Sequence, residues 1–197
     1  ATAISRSTQG GFDEGHGDRN FGAGIAGLVT AVALQAQGHR CRVYERERPE
    51  PQGMGFIMMP QGLAGLRSFG VALPDIAGGV PLHRYRHRNA AGKIVGEQAM
   101  PAGAFAVCRR DLMAALEQAL PGDGVLAYGA ELDTLRFDAS GHVAAVRLRS
   151  GERIQAGLYV GADGHRSRAR QELFPHWPMA QARVMEMVGI TGNAQVR

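Results

Sequence analysis

Phe21-Gly22-Ala23-Gly24-Ile25-Ala26-Gly27 opens an Ala-, Leu- and Val-rich segment that runs to about Gln37 and is followed by Gly38. The segment reads as a helix, and Gly38 stands where a helix end favours the left-handed conformation. The three glycines at its start have GxGxxG spacing, each meeting a different steric need. Gly22 permits a tight turn, Gly24 lets the backbone approach a pyrophosphate, and Gly27 lets the helix pack closely on a sheet. The helix tip adds free N–H groups and the positive end of the dipole. Arg40 to Glu45 follows as a short strand, which puts Glu45 where an acidic side chain accepts hydrogen bonds from a ribose diol. The plainer alternatives are an exposed glutamate after a strand and a glycine-rich turn in a chain with 28 glycines. The two signals together favour ribose.

The 197 residues are 45% hydrophobic and 20% charged, which excludes a disordered or fibrous chain and suits one main core. Abundant glycine with 6% aromatics fits tight turns and close backbone approach to a ligand. A net charge of +4 raises the question of nucleic acid, and His83-Arg84-Tyr85-Arg86-His87-Arg88 is the densest basic run. Its alternation puts Arg84, Arg86 and Arg88 on one face of a strand, the pattern of a solvated sheet face, and an anionic cofactor accounts equally well for the charge. No nucleic-acid partner is expected.

Cys41 and Cys108 lack metal-ligand spacing and read as buried free thiols, with only Arg109 beside Cys108 to suggest activation. His83, His87 and His165 lack a ligand pattern, and Met54, Met58 and Met59 read as gap-fillers, so no metal site is expected. No apolar run is long enough to span a bilayer, and the start lacks a secretory pattern. The expectation is a cytoplasmic protein with no membrane partner.

Along the chain, residues 1–20 show no periodicity. Gly53 to Pro60 reads as an extended loop and Gln61 to Phe69 as a helix stopped by Gly70. His83 to Arg88 and Lys93 to Gln98 flank the turn-rich Asn89-Ala90-Ala91-Gly92 as a hairpin. Arg109 to Leu120 is helical, with Leu112, Leu116 and Leu120 on one face. Val125 to Tyr128 is a strand, and Glu131 to Phe137, Val143 to Arg149 and Arg153 to Val160 read as a meander. Ser167 to Leu173 reads as a short helix and Arg183 to Ile190 as a last strand.

A nicotinamide-binding Rossmann domain should continue from Glu45 as strand, helix, strand, whereas this chain breaks into a loop, a helix and a hairpin. The segment Gly22 to Arg46 resembles the first ADP-binding unit of the FAD-dependent aromatic hydroxylase family, the p-hydroxybenzoate hydroxylase-like flavoprotein monooxygenases. Gly53 to Gly70 is similar to that family's loop and helix, and Val107-Cys108-Arg109-Arg110-Asp111-Leu112 to its helix-opening arginine segment. Gly161-Ala162-Asp163-Gly164-His165-Arg166-Ser167-Arg168-Ala169-Arg170 resembles its Asp-Gly motif. The blocks occur in the family's order, and four in register are far more specific than one GxGxxG.

The resemblance implies an α/β fold: a Rossmann-like FAD-binding domain with a mostly parallel sheet and an inserted β-meander, truncated before the substrate domain is complete. It implies that Gly22, Gly24, Ile25, Ala26, Gly27, Glu45 and Arg46 hold the ADP half of FAD and that Arg109 reaches its ribityl and pyrophosphate portion. Arg109 also reads as an exposed charge, although a cation at a helix start is unfavourable unless an anion is present. Asp163, Gly164, Ser167 and Arg170 would serve FAD and the reduced nicotinamide donor; a solvated turn and helix N-cap is their plainer reading. NADH or NADPH would reduce FAD, which would react with molecular oxygen to a flavin hydroperoxide and hydroxylate a small, aromatic substrate. The flavin does that chemistry, so no catalytic side chain is assigned. A reductase or halogenase of the same superfamily, or a non-catalytic fragment with an incomplete FAD site, are the alternatives.

Two departures qualify the resemblance. The strand before GxGxxG should be apolar, being buried on both faces, yet Glu14-Gly15-His16-Gly17-Asp18-Arg19-Asn20 stands there. From the second base of the His16 codon, with Arg19 as a CG-type codon, the shifted triplets allow Met, Val or Ala, Ile, Val or Ala, and Ile. Residues 1–20 are therefore expected to be an unstructured or out-of-frame leader, a point the coding DNA decides. Residues 21–178 would be a partial FAD-binding domain and 179–197 the first strand of an incomplete substrate domain, since nothing before Arg197 matches the family's later Gly-Asp motif. Substrate identity, nicotinamide preference and oligomeric state have no signal in the sequence.

Overall fold

A computed structural model describes residues 3–6, 17–48, 55–72, 76, 78–122 and 124–177. The chain begins with β1 (Ala3–Arg6), β2 (Asp18–Phe21), α1 (Ile25–Ala36) and β3 (Cys41–Glu45). It continues with β4 (Gly55–Met58), α2 (Pro60–Ser68), β5 (Val80–Pro81), β6 (Arg84–Arg88), β7 (Ile94–Ala99) and β8 (Phe105–Cys108). After α3 (Arg109–Gln118) come β9 (Leu126–Tyr128), β10 (Leu132–Phe137), β11 (Val143–Leu148), β12 (Arg153–Ile154), β13 (Leu158–Gly161) and α4 (Arg168–Leu173). These form two compact units, one built from the described residues up to 48 and from 116 onward, the other from 55–115.

The first unit holds a five-stranded sheet in the order β1-β13-β2-β3-β9, in which β13, β2, β3 and β9 run parallel and β1 pairs antiparallel at the edge. Phe21 lies opposite both Gly161 and Tyr44. The chain therefore leaves β2, β3 and β13 at one edge of the sheet, the carboxyl end where open α/β sheets bind ligands. Gly38, at φ +83, follows α1 as its spacing predicts.

β2 corrects the expectation that so polar a segment makes no strand. Its backbone pairs on both sides, and Asp18 and Asn20 each find a local partner, although Asn20 Oδ1 has none among the described residues. Asp18, 8% exposed, pairs with His39 Nδ1 at 2.8 Å, and fully buried Asn20 donates to backbone carbonyls of the following turn. Phe21 supplies the apolar anchor, stacked on Tyr44 with ring centroids 5.3 Å apart. Hydropathy has no means of registering this compensation.

The meander is β10-β11-β12, and its Leu135, Val143, Val146 and Leu148 form one buried cluster with Phe21, Tyr44 and Tyr159. The expected third strand, Arg153 to Val160, is instead two. Arg153–Ile154 pairs with β11, and the chain then crosses to the parallel sheet as β13. Tyr159 bridges the two, its hydroxyl accepting from Ala156 N at 2.9 Å and donating to the Ala144 carbonyl at 3.0 Å.

In the second unit β4, β8 and β5 form an antiparallel sheet. Gly55–Met58, expected to be loop, is thus a strand: its partner β8 lies about fifty residues along the chain, beyond the reach of local patterning. α2 buries Leu63 and Leu66 and ends before Gly70 at φ +86. The β6–β7 hairpin forms around Asn89, whose Oδ1 accepts from Ala91 N at 3.1 Å and Lys93 N at 3.0 Å. Arg84 and Arg86 share Glu97 across it, at 3.3 and 2.6 Å. Among the described residues no helix is long and apolar enough to cross a membrane. The expected strand Arg183 to Ile190, with 179–197 as a whole, lies outside the described residues.

Candidate nucleotide-binding site

At the carboxyl edge of the parallel sheet, α1 starts from Gly24, an N-cap at φ −70 and ψ 175 with no side-chain cap and no acidic residue in the first turn. The first N–H groups of a helix have no partner within it, so this tip offers donors that an anion could accept from. Gly24 and Ile25 are half-buried and Ala26 is exposed. Gly22 adopts φ +112, and a Cβ there would stand 2.2 Å from the Ala162 carbonyl oxygen. A Cβ on Gly27 would lie 1.8 Å from the Gly22 carbonyl oxygen. The same Cβ would also fall 2.9 Å from Nδ2 of Asn20 in β2, so Gly27 lets α1 lie close on the sheet, as its spacing implies, and clears the turn as well.

Glu45, the last residue of β3, reaches this turn. Its Oε2 accepts from Ala23 N at 2.7 Å and its Oε1 from Glu47 N at 3.1 Å. Two N–H donors leave further lone pairs on the carboxylate, which is half-buried and open to hydroxyl donors. Arg46 next to it is exposed and 3.7 Å from Glu47. Across the sheet Glu45 pairs in register with Tyr128, whose hydroxyl donates to Glu117 at 3.3 Å under the Arg48 guanidinium, 5.5 Å from the ring centre. Burial, then the Glu117 charge, pushes the Tyr128 phenol up. Sequence reasoning passed over Tyr128 and Arg48; the end of a parallel strand beside Glu45 was the signal available.

The Asp-Gly segment enters the same place from β13. Ala162 N donates to the Phe21 carbonyl at 2.7 Å, which sets Asp163 beside the glycine turn. Its carboxylate is engaged: Oδ1 accepts from the Ser167 hydroxyl at 2.5 Å, and Oδ2 from Arg168 N at 2.6 Å and Ala169 N at 3.0 Å. Ser167, 1% exposed, caps α4 by accepting from Arg170 N at 2.9 Å. Arg170 donates to the His165 carbonyl at 2.9 Å, and Gly164 turns at φ +83 with open space beside it. The side chains of Asp163 and Ser167 thus build a helix start, and the segment's nearness to the glycine turn comes through its backbone.

Gly22, Gly24, Gly27, Glu45 and Asp163 are in this way gathered at one edge. Arg109 belongs to the other unit, where it is exposed as the first residue of α3, directly after β8. Arg110 pairs with Asp111 at 2.8 Å in the same turn. Cys41 is buried in β3, and burial, then the Asp18 charge, pushes its thiol up to about 12, which makes it inert. Among the described residues no group of three His, Cys, Asp or Glu side chains could hold a metal ion.

Comparison with known proteins matches residues 21–197 to the family described as FAD binding domain. The chain is 30% identical over 155 residues to Monooxygenase 1 of Arabidopsis thaliana, covering 74% of this chain and 37% of that protein. It is 32% identical over 165 residues to 6-hydroxynicotinate 3-monooxygenase of Pseudomonas fluorescens, covering 77% and 41%. Among solved structures, the tetrameric form of 2-methyl-3-hydroxypyridine-5-carboxylic acid oxygenase aligns with a TM-score of 0.68 at 28% identity, covering 80% of this chain and 42% of that one. The chain spans about two fifths of the length of these relatives.

Proposed function

Because the chain belongs to the FAD binding domain family, we propose that it is the FAD-holding part of a flavoprotein monooxygenase that takes electrons from NADH or NADPH and oxygen from O2 to hydroxylate a small, aromatic molecule. The observation that carries this reading is the convergence on one turn: Glu45 accepts from Ala23 N at 2.7 Å, and Gly22 abuts Ala162. A side-chain cap or an acidic residue in the first turn would compete with a diphosphate for these N–H groups, and α1 has neither feature. The residues present therefore fit the ADP half of FAD.

In this reading the α1 tip, from Gly22 to Gly27, binds the diphosphate through backbone N–H groups, and Glu45 accepts from the adenosine ribose. Arg46 would flank that ribose, and Arg109 would contact the ribityl and pyrophosphate portion. Asp163 and Ser167 hold the start of α4, so that the backbone from Ala162 to Gly164 keeps its place beside the cofactor, and Arg170 braces the same turn. When bound, FAD supplies the electron transfer and oxygen activation that no side chain here provides. The chain's own part is binding, orientation and exclusion of water.

The test is made on the protein encoded by the complete gene, supplied with NADH or NADPH and candidate aromatic substrates under labelled dioxygen. Label in the product and nicotinamide oxidation in step with it support the proposal. Nicotinamide oxidation that never places label in a product refutes it and favours an FAD reductase.

A further inference from the structure

Asn20, next to last in β2, is completely buried, and its side-chain amide donates to two carbonyls of the glycine turn: Gly27 at 2.9 Å and Gly22 at 3.3 Å. The Gly22 carbonyl and the Ala23 N–H belong to one peptide unit, and that N–H donates to Glu45 Oε2 at 2.7 Å. In a planar trans peptide the C=O and N–H point in opposite directions. Asn20 and Glu45 therefore grip opposite edges of the same plane, and rotating it breaks both bonds together. Gly27 completes the arrangement, since its missing Cβ would fall 1.8 Å from the Gly22 carbonyl oxygen and 2.9 Å from Asn20 Nδ2.

This placement has a cost. Asn20 Oδ1 is buried with no hydrogen-bond partner among the described residues, and a strand buried in a parallel sheet is ordinarily filled by Val or Ile, which orphan no polar atom. What the amide does for the Gly22–Ala23 peptide accounts for a polar residue there.

We propose that Asn20 is a positioning residue of the nucleotide site: it sets the orientation of the Gly22–Ala23 peptide and through it holds the Glu45 carboxylate where a ribose arrives. The inference rests on the reading of Glu45 as a ribose acceptor. It predicts that replacing Asn20 weakens recognition of the ribose hydroxyls specifically, without unfolding the chain.

The test is calorimetric titration of the whole chain with ADP and with 2′-deoxy-ADP, alongside thermal melts without nucleotide. The wild-type chain should prefer ADP by about tenfold. Asn20→Val should shrink that preference to about twofold, as should Glu45→Gln, while its melting temperature without nucleotide stays within about 2 °C of wild type. If Asn20→Val does not fold, Asn20→Ser, which keeps a polar group but not the reach, carries the same expectation. A preference unchanged in the variant overturns the proposal. So does an Asn20→Val chain that binds ADP more tightly and melts higher, the result expected if the displaced reading frame, whose triplet beginning in the Asn20 codon allows Ile, is the natural one. A wild-type chain with no preference removes the ribose reading of Glu45 and this inference with it.

Discussion

Gly22 and Ala162, 140 residues apart in sequence, meet so closely that a single Cβ on Gly22 would stand 2.2 Å from the Ala162 carbonyl oxygen. The glycine turn after β2 and the Asp-Gly turn after β13 are thus one surface. Gly22→Ala meets this contact and a φ of +112 at once, and should destabilise the chain by about 3 kcal/mol or more. Gly164→Ala, at φ +83 with open space around it, should cost only about 1–2 kcal/mol. Urea melts of the two variants measure the difference; equal losses would mean that the Gly22–Ala162 contact relaxes freely.

The carboxylate of Asp163 and the hydroxyl of Ser167 serve the α4 start, so their loss should be felt before any ligand is added. Ser167→Ala should lower stability by about 1 kcal/mol, as for other N-cap residues. Asp163→Ala should cost more, because it strips an acceptor from Arg168 N, Ala169 N and the Ser167 hydroxyl together. Chemical denaturation of the cofactor-free chain reports both. Unchanged apo stability in Asp163→Ala would show that the carboxylate serves only the ligand.

Burial favours the neutral thiol of Cys41, whose folded value of about 12 lies above its ordinary 9.0. For a group raised on folding, the stabilising contribution is whole below the unfolded value and is lost as pH climbs through the folded one. Stability should therefore decline between pH 9.0 and about 12 by more in the wild-type chain than in Cys41→Ala. At pH 8 a thiol reagent should leave Cys41 untouched in the native chain and label it on unfolding. Rapid native labelling of Cys41 would contradict the burial.

The elements legible in the sequence are those whose signals are local. α1, bounded by Gly24 and Gly38, β3 ending at Glu45, the Asn89–Gly92 hairpin turn and the Ser167 start of α4 all carry their own punctuation. The elements missed depend on distant partners. β4 is a strand only because β8 pairs with it, and Arg153 to Val160 splits because Leu158–Gly161 finds β2 across the parallel sheet. β2 is the sharpest case: Asp18 and Asn20 argue against a buried strand until His39 and the glycine-turn carbonyls are seen to receive them. At the site, the glycines and Glu45 were identifiable from spacing. Asn20 and Tyr128 were not, because their significance lies in what they touch.

Titration of the purified chain with FAD, followed by quenching of flavin fluorescence, bears most directly on the nucleotide site. Saturable binding by the wild-type chain, weakened about tenfold in Glu45→Ala by loss of the ribose contact, is the predicted result. A wild-type chain that takes up no FAD, or a Glu45→Ala chain that binds it equally well, would contradict the site described.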